Sequence, residues 1–389
     1  MQLARMKTEK TRFLVGLSLT HFISDMPFFL LPSILPLLIS DFNLSYGQAG
    51  AIVTSLLLSM IIVQILTGMV GNRVNRIMLI FLGETIIGCA FFLIFLSDTF
   101  LQFLGLQVLI GVGMGFYHPI GYTLISEIFD HNKGKAFGIS ESSGIAAAPI
   151  CFASTGLLSL YIEWRTIFFV WSIIIFVFAF LSVLFVKRSS MTGVSEANGL
   201  GSIVLNLRLW KKLVGLLLLM VFSEIGFTTL TSFSSTFLSQ NNLGLGYANT
   251  LMSLVMIIGI IGSVLMGALS DRYSERRAIF FTMGLIILFS LILLYVNNLG
   301  VIIFILCLLG LPIVGVGPAY FSLISRMTSK KERISVYGII LSIAWGVGGL
   351  FPYIDGVLAD MFGINIIFAI IFFSALGSLL IVSSGISER

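Results

Sequence analysis

The chain has 389 residues, 58% of them hydrophobic and only 10% charged, and its mean hydropathy is +1.09. Soluble domains carry about 45–50% apolar and about 25% charged residues, so water-soluble enzymes, nucleic-acid binders and secreted disulfide scaffolds are excluded at the outset. The three cysteines, Cys89, Cys151 and Cys307, all fall in apolar runs and read as packing residues, not as a disulfide framework.

Crossing a hydrocarbon core of roughly 30 Å takes about 20 apolar residues. In chain order, such stretches predict twelve spans, at 13–39, 47–70, 77–96, 100–126, 136–158, 166–186, 213–238, 248–270, 278–296, 301–326, 335–358 and 364–384. The first is too long, and too polar at Asp25, for a cleaved signal peptide, and no small-residue cleavage site follows it. Basic residues orient the bundle. With the N-terminus inside, all of the 22 lysines and arginines except Arg165 fall in the tails or the even-numbered connections. The positive-inside rule therefore predicts a multi-pass protein of the cell membrane with both termini cytoplasmic. The net charge of +5 reflects that topology, and no nucleic-acid partner is needed to explain it.

The two halves repeat at an offset of 199–200 residues. Gly68-Met69-Val70-Gly71-Asn72-Arg73 closes span 2, and Gly267-Ala268-Leu269-Ser270-Asp271-Arg272 closes span 8. Asp25 pairs in this way with Glu224, His118-Pro119 with Gly317-Pro318, and Phe168 with Phe368. Duplication is the simplest reading. It gives an all-α membrane protein with a six-helix half at 1–186, a polar, basic cytoplasmic linker at 187–212 and a second half at 213–389.

The loop Gly267-x-Leu269-Ser270-Asp271-Arg272-(x)3-Arg276-Arg277 resembles the signature of the major facilitator superfamily, and Trp164-Arg165-x-x-Phe168 is similar to another of its recurrent elements. His21-x-x-x-Asp25 and Tyr117-His118-Pro119 resemble its fosmidomycin-resistance-like efflux subgroup more narrowly. The resemblance implies two pseudo-symmetric six-helix bundles whose spans 1, 4, 7 and 10 line a central cavity. Several positions depart from the pattern. Asn72 replaces the usual aspartate, Gln107 stands where many proton antiporters carry arginine, and the span 5 antiport motif survives only as Gly144-(x)3-Ala148-Pro149. Ile120 and Thr123 replace the acid and arginine that follow His-Pro in the subgroup, which removes its means of holding an anionic drug.

A charge at mid-membrane costs several kcal/mol unless it is paired or wetted, so ionisable residues inside spans are the strongest functional signal. These are Asp25, Glu84, Glu141, Glu224 and Asp355, with His21 and His118. At about 1.5 Å rise per residue, Asp25 and Glu224 lie roughly 16–18 Å in, near the midplane. His21 and Asp25, spaced i, i+4, share a helix face. Desolvation disfavours a charged carboxylate, so Asp25 or Glu224 is expected to carry a coupling proton, tuned or relayed by His21 and His118. The competing reading is a static, helix-locking hydrogen bond.

Tyr117 and Tyr122 in span 4, with the polar stripe Thr228, Ser232 and Ser235 in span 7, are the candidate substrate-cavity residues. Asn72, Arg73, Asp271, Arg272, Arg276 and Glu141 are the candidate inner-gate residues, the alternative for the arginines being plain topology-setting charges. Glu84 reads as structurally paired, and Asp355 as solvated or as an outer-gate contact.

There is no phosphate-cradling lysine motif, metal-ligand spacing or serine–histidine–acid pattern, so no enzymatic role, cofactor or metal is expected. The expectation is a monomeric, proton-coupled secondary transporter of a small neutral or cationic organic molecule, working by alternating access and exporting by antiport. Import by proton symport is the alternative within transport, and a non-transporting membrane sensor the alternative outside it.

Overall fold

A computed structural model describes residues 2–70, 74–129, 133–187, 207–241, 243–328 and 333–385. Among these residues twelve helices are long and apolar enough to cross a membrane. They are Thr8–Asp41, Tyr46–Gly68, Arg76–Phe95, Phe100–Ile125, Ala136–Leu158, Trp164–Ser182, Leu213–Gln240, Leu245–Ser270, Glu275–Tyr295, Leu299–Met327, Gly338–Phe362 and Ile366–Ser384, spans 1 to 12. Each predicted span has its helix. Spans 4, 10 and 11 are interrupted, at Gly115-Phe116, at Val316 and at Gly349-Leu350. In spans 10 and 11 the helix restarts with a proline in its first turn, Pro318 and Pro352. There the missing N–H costs nothing, because first-turn amides lack intrahelical acceptors anyway.

Contacts group the chain into two compact units, one of Met1–Leu30, Ser55–Cys151 and Tyr161–Leu200, the other of Leu31–Thr54, Phe152–Leu160 and Gly201–Arg389. The repeat is visible in the physics within each. Asn75 caps span 3 and Ser274 caps span 9; Thr99 caps span 4 and Asn298 caps span 10. Both pairs are 199 residues apart. A side-chain acceptor satisfies amides that have no helical partner, so the duplication preserved its helix starts.

Helix contacts repeat too. A methyl group on Gly111 of span 4 would lie 2.2 Å from the Leu56 carbonyl oxygen of span 2, and one on Gly310 of span 10 would lie 2.5 Å from that of Val255 in span 8. Close backbone approach at small residues is how helices pack where lipid offers no hydrophobic driving force. One ion pair recurs with its charges exchanged. Arg76 Nη1 meets Glu127 Oε2 at 2.9 Å, whereas Glu275 Oε1, at the position of that arginine, meets Arg326 Nε at 2.7 Å.

The second unit is closed tightly at the end bearing the 41–46 turn. A methyl on Gly50 would lie 1.9 Å from the Pro352 carbonyl oxygen, one on Gly356 would lie 2.1 Å from that of Tyr46, and one on Gly156 would lie 2.9 Å from that of Gly246. Asp360 of span 11 accepts from the Tyr46 amide at 2.7 Å and the Gly47 amide at 2.8 Å, while Ser45 and Gln48 form a reciprocal cap. The first turn of span 2 is thus capped by its own residues and by another span.

Candidate functional site

In the first unit the polar residues of spans 1, 4 and 5 converge. Asp25 accepts from two imidazoles, Oδ2 from His21 Nε2 at 3.2 Å and Oδ1 from His118 Nε2 at 3.3 Å. His21 and His118 are buried, and Asp25 is 23% exposed, the wet edge of the cluster. The His21 ring stacks on Tyr117 at 4.7 Å and meets His118 edge-on at 5.2 Å. Ser140 of span 5 fixes the other side, its Oγ lying 3.1 Å from His21 Nδ1 and 3.0 Å from the Tyr117 hydroxyl. Gly144, one turn further along, makes room for the cluster, since a methyl there would lie 2.5 Å from Asp25 Oδ2 and 2.8 Å from His21 Nε2.

His21, Asp25 and His118 each present one ligand atom, all within 4.8 Å of one another. No such set is visible in the linear spacing. Its arrangement is nonetheless that of a carboxylate bridging two N–H donors, with one oxygen given to each ring.

In the second unit Glu224 occupies the equivalent place on span 7, and again a glycine of the fifth span in that half lies against it. A methyl on Gly348 would lie 2.6 Å from Glu224 Cγ. Glu224 is partly buried, and no ion pair or hydrogen bond engages its carboxylate among the described residues. The two halves therefore hold their acids differently, one between two imidazoles and one without a partner.

The remaining candidates separate. Tyr117 is buried as a support for His21 within the core around Phe13, Leu17 and Ile125. Tyr122 stands 5.6 Å from the His118 ring. Thr228, Ser232 and Ser235 are buried. Thr228 Oγ1 lies 3.2 Å from the Gly348 carbonyl, and Ser235 donates to Asn249 Oδ1 at 2.6 Å. Glu141 follows Ser140 on span 5 and is partly buried.

Arg276 donates to the Val382 and Ser383 carbonyls at the end of span 12, and exposed Arg272 lies over the Tyr273 ring. Asn72, Arg73 and the side chain of Asp271 lie outside the described residues, as do residues 188–206 of the linker. Glu84 has the structural partner expected, Ser182 donating to it at 3.0 Å.

Asp355 corrects the expectation of a solvated group. It is fully buried, with Oδ2 2.7 Å from Thr229 Oγ1. Position along the span suggested exposure, but the segment Phe351–Phe362 turns Asp355 toward Thr229 of span 7. Ser140, Gly348 and Thr229 went unrecognised as site residues because nothing in a local window marks a serine, glycine or threonine as the partner of a distant acid.

Twelve membrane-length helices in two repeats, each with an acid midway along its first helix, define a polytopic carrier. The chain belongs to the Major Facilitator Superfamily, whose sequence profile matches residues 17–352. It is 24% identical to the fosmidomycin resistance protein of Escherichia coli K12, over 94% of this chain and 92% of that one. It is 23% identical to the multidrug resistance protein MdtL of Shewanella oneidensis, over 89% and 88%. Among solved structures, a bacterial homolog of the human lysosomal transporter Spinster, inward-facing and unoccupied, superposes with a TM-score of 0.83 over 98% of both chains at 15% identity. That likeness establishes the fold.

Proposed function

We propose that this protein is a proton-coupled secondary transporter that exports a small neutral or cationic organic molecule by antiport and alternating access, with Glu224 carrying the coupling proton. The observation that carries the reading is Glu224 itself, a carboxylate midway along a membrane span with no counter-charge among the described residues. Such a group is tolerable in a dry site only as the neutral acid. It can therefore exist in two forms, protonated when enclosed and ionised when it meets water.

The Asp25 cluster complements it. Two imidazoles balance that carboxylate without a fixed lysine or arginine, so Asp25 and the histidines tune the site, and an organic cation can compete for the same acids. The names of the two relatives, both resistance proteins, support export over symport. The lysine and arginine asymmetry supports cytoplasmic termini and, with them, an external 41–46 turn. The closed state of that turn supports alternating access with the outer end shut.

The test uses proteoliposomes with an imposed pH gradient and two probes, cationic ethidium and neutral chloramphenicol. Wild type moves at least one probe against its concentration gradient. Glu224→Gln loses gradient-driven movement and keeps exchange of labelled for unlabelled probe. Full gradient-driven transport in Glu224→Gln refutes the assignment, and co-movement of probe with protons favours symport.

A further inference from the structure

A third acid, outside the pair just assigned, stands in a setting that calls for a proton. Asp355 is 0% exposed, in the segment Phe351–Phe362 of span 11. Among the described residues its hydrogen-bond partner is the Thr229 hydroxyl, 2.7 Å from Oδ2, and its Oδ1 meets no hydrogen-bond donor or acceptor. The Thr229 hydroxyl also lies 2.8 Å from the Ile225 carbonyl oxygen, one turn back on its own helix. A hydroxyl has one hydrogen and two lone pairs. If that hydrogen goes to Ile225, the only partner that can fill the contact with Asp355 is a proton on the carboxyl group itself.

The surroundings agree. Residues 224–240 of span 7, 366–385 of span 12, 46–54 of span 2 and 351–362 of span 11 contain no lysine, arginine or histidine. Their ionisable members are Glu224, Tyr46, Tyr353 and Asp360. Asp360 is committed to the Tyr46 and Gly47 amides, and the Tyr353 amide bonds Thr54 Oγ1 at 3.1 Å. An ionised Asp355 would thus be a buried charge without a cation, the arrangement that costs most.

The same segment makes the outer closure. Pro352 lies on Gly50, Gly356 on Tyr46, and Asp360 on the first turn of span 2. We infer that Asp355 is a second proton-binding site, loaded from the outer solution, and that the outer end closes with Asp355 neutral and opens when that proton leaves. The carboxyl oxygen gains the proton on closing and returns it to water on opening; no other bond changes. The inference goes beyond the transport reading and does not rest on Glu224.

The test follows the outer end directly. Cysteines replace Leu160 and Met361, exposed residues at the outer ends of spans 5 and 11 that take no part in either acid site. The native Cys89, Cys151 and Cys307 are changed to alanine, and spin labels report the distance between the two positions from about pH 5 to about pH 9. A proton bound only by the closed form makes the closed-to-open ratio fall by up to about tenfold per pH unit. In Asp355→Asn, always neutral, the closed fraction loses the part of its pH response that Asp355 supplies, whereas Glu224→Gln keeps that part.

Thr229→Val keeps the test decisive even if Asp355→Asn fails to yield monodisperse protein. Losing an acceptor for the protonated acid moves half-opening to lower pH. A move to higher pH means that Thr229 donates to a carboxylate and overturns the inference. So does a full pH response in Asp355→Asn, or a wild type indifferent to pH. A response lost only in Glu224→Gln transfers the role to Glu224.

Discussion

Gly50→Ala isolates the closure of the end bearing the 41–46 turn from all proton chemistry. The added methyl would lie 1.9 Å from the Pro352 carbonyl oxygen and 2.6 Å from its carbon, against an ordinary contact limit of 3.4 Å. The shortfall to the oxygen is 3.4 − 1.9 = 1.5 Å, and backbone on both sides leaves no flexible side chain to yield. Over-packing a fitted contact costs typically about 1–3 kcal/mol, and a backbone–backbone clash belongs at the upper end. Since the cost falls only on the closed arrangement, about 2–3 kcal/mol becomes a roughly 30- to 150-fold shift toward opening.

A cysteine replacing Val53, which is 1% exposed beside this contact, reads the shift as its rate of reaction with a membrane-impermeant maleimide. The expected result is labelling at least 30-fold faster than in the Gly50 parent, on the same arithmetic. Gly47→Ala is the milder comparison, because its methyl would meet side-chain atoms of Asp360 and Val357 at 3.1 and 3.2 Å and no backbone that close. Labelling at the parental rate in monodisperse Gly50→Ala would show that the backbone contact does not hold the end shut.

Further outcomes follow from the two repeats. Gly144→Ala drives a methyl into Asp25 and His21 and should lower the melting temperature by the equivalent of about 1–3 kcal/mol; Gly138→Ala in the same span, with open space around it, should not. Arg326→Ala leaves Glu275, 2% exposed, with only the Ser322 hydroxyl. Removing one partner of a buried pair costs about 3–5 kcal/mol, but Arg326 is 64% exposed, so about 1–3 kcal/mol is expected after screening. Exchanging the two charges, Glu275→Arg with Arg326→Glu, should recover most of that loss in a thermal melt, because the first half carries the pair in that order. Equal melting temperatures for the exchange and for Arg326→Ala would show that only one orientation fits.

The fold was legible because lipid imposes it. Every backbone polar group must be satisfied within a span, so twelve apolar runs became twelve helices and the 199-residue offset became matching caps and glycine contacts. The acids were legible for the same reason: Asp25 and Glu224 stand out in an apolar run. Their partners were not. Ser140 and Gly144 reach the His21 site from more than 100 residues away, and nothing in an apolar window distinguishes Gly348, which faces Glu224, from Gly346. For Asp355, read as solvated or as an outer-gate contact, depth along the helix could not reveal its burial against Thr229. Only the packing shows that one carboxylate serves both histidines.

The shared cap of span 2 has a use in timing. With this end closed, the Tyr46 and Gly47 amides are held by Asp360, a residue more than 300 positions away, whereas the Gln48 amide is held by its neighbour Ser45. Amide hydrogens exchange with solvent deuterium only when their bond opens. Two adjacent amides should therefore exchange at the pace at which this end opens, and a third, one residue on, at the pace of local fraying. The chain holds a clock and its reference side by side, readable without any label and without knowing what the carrier moves.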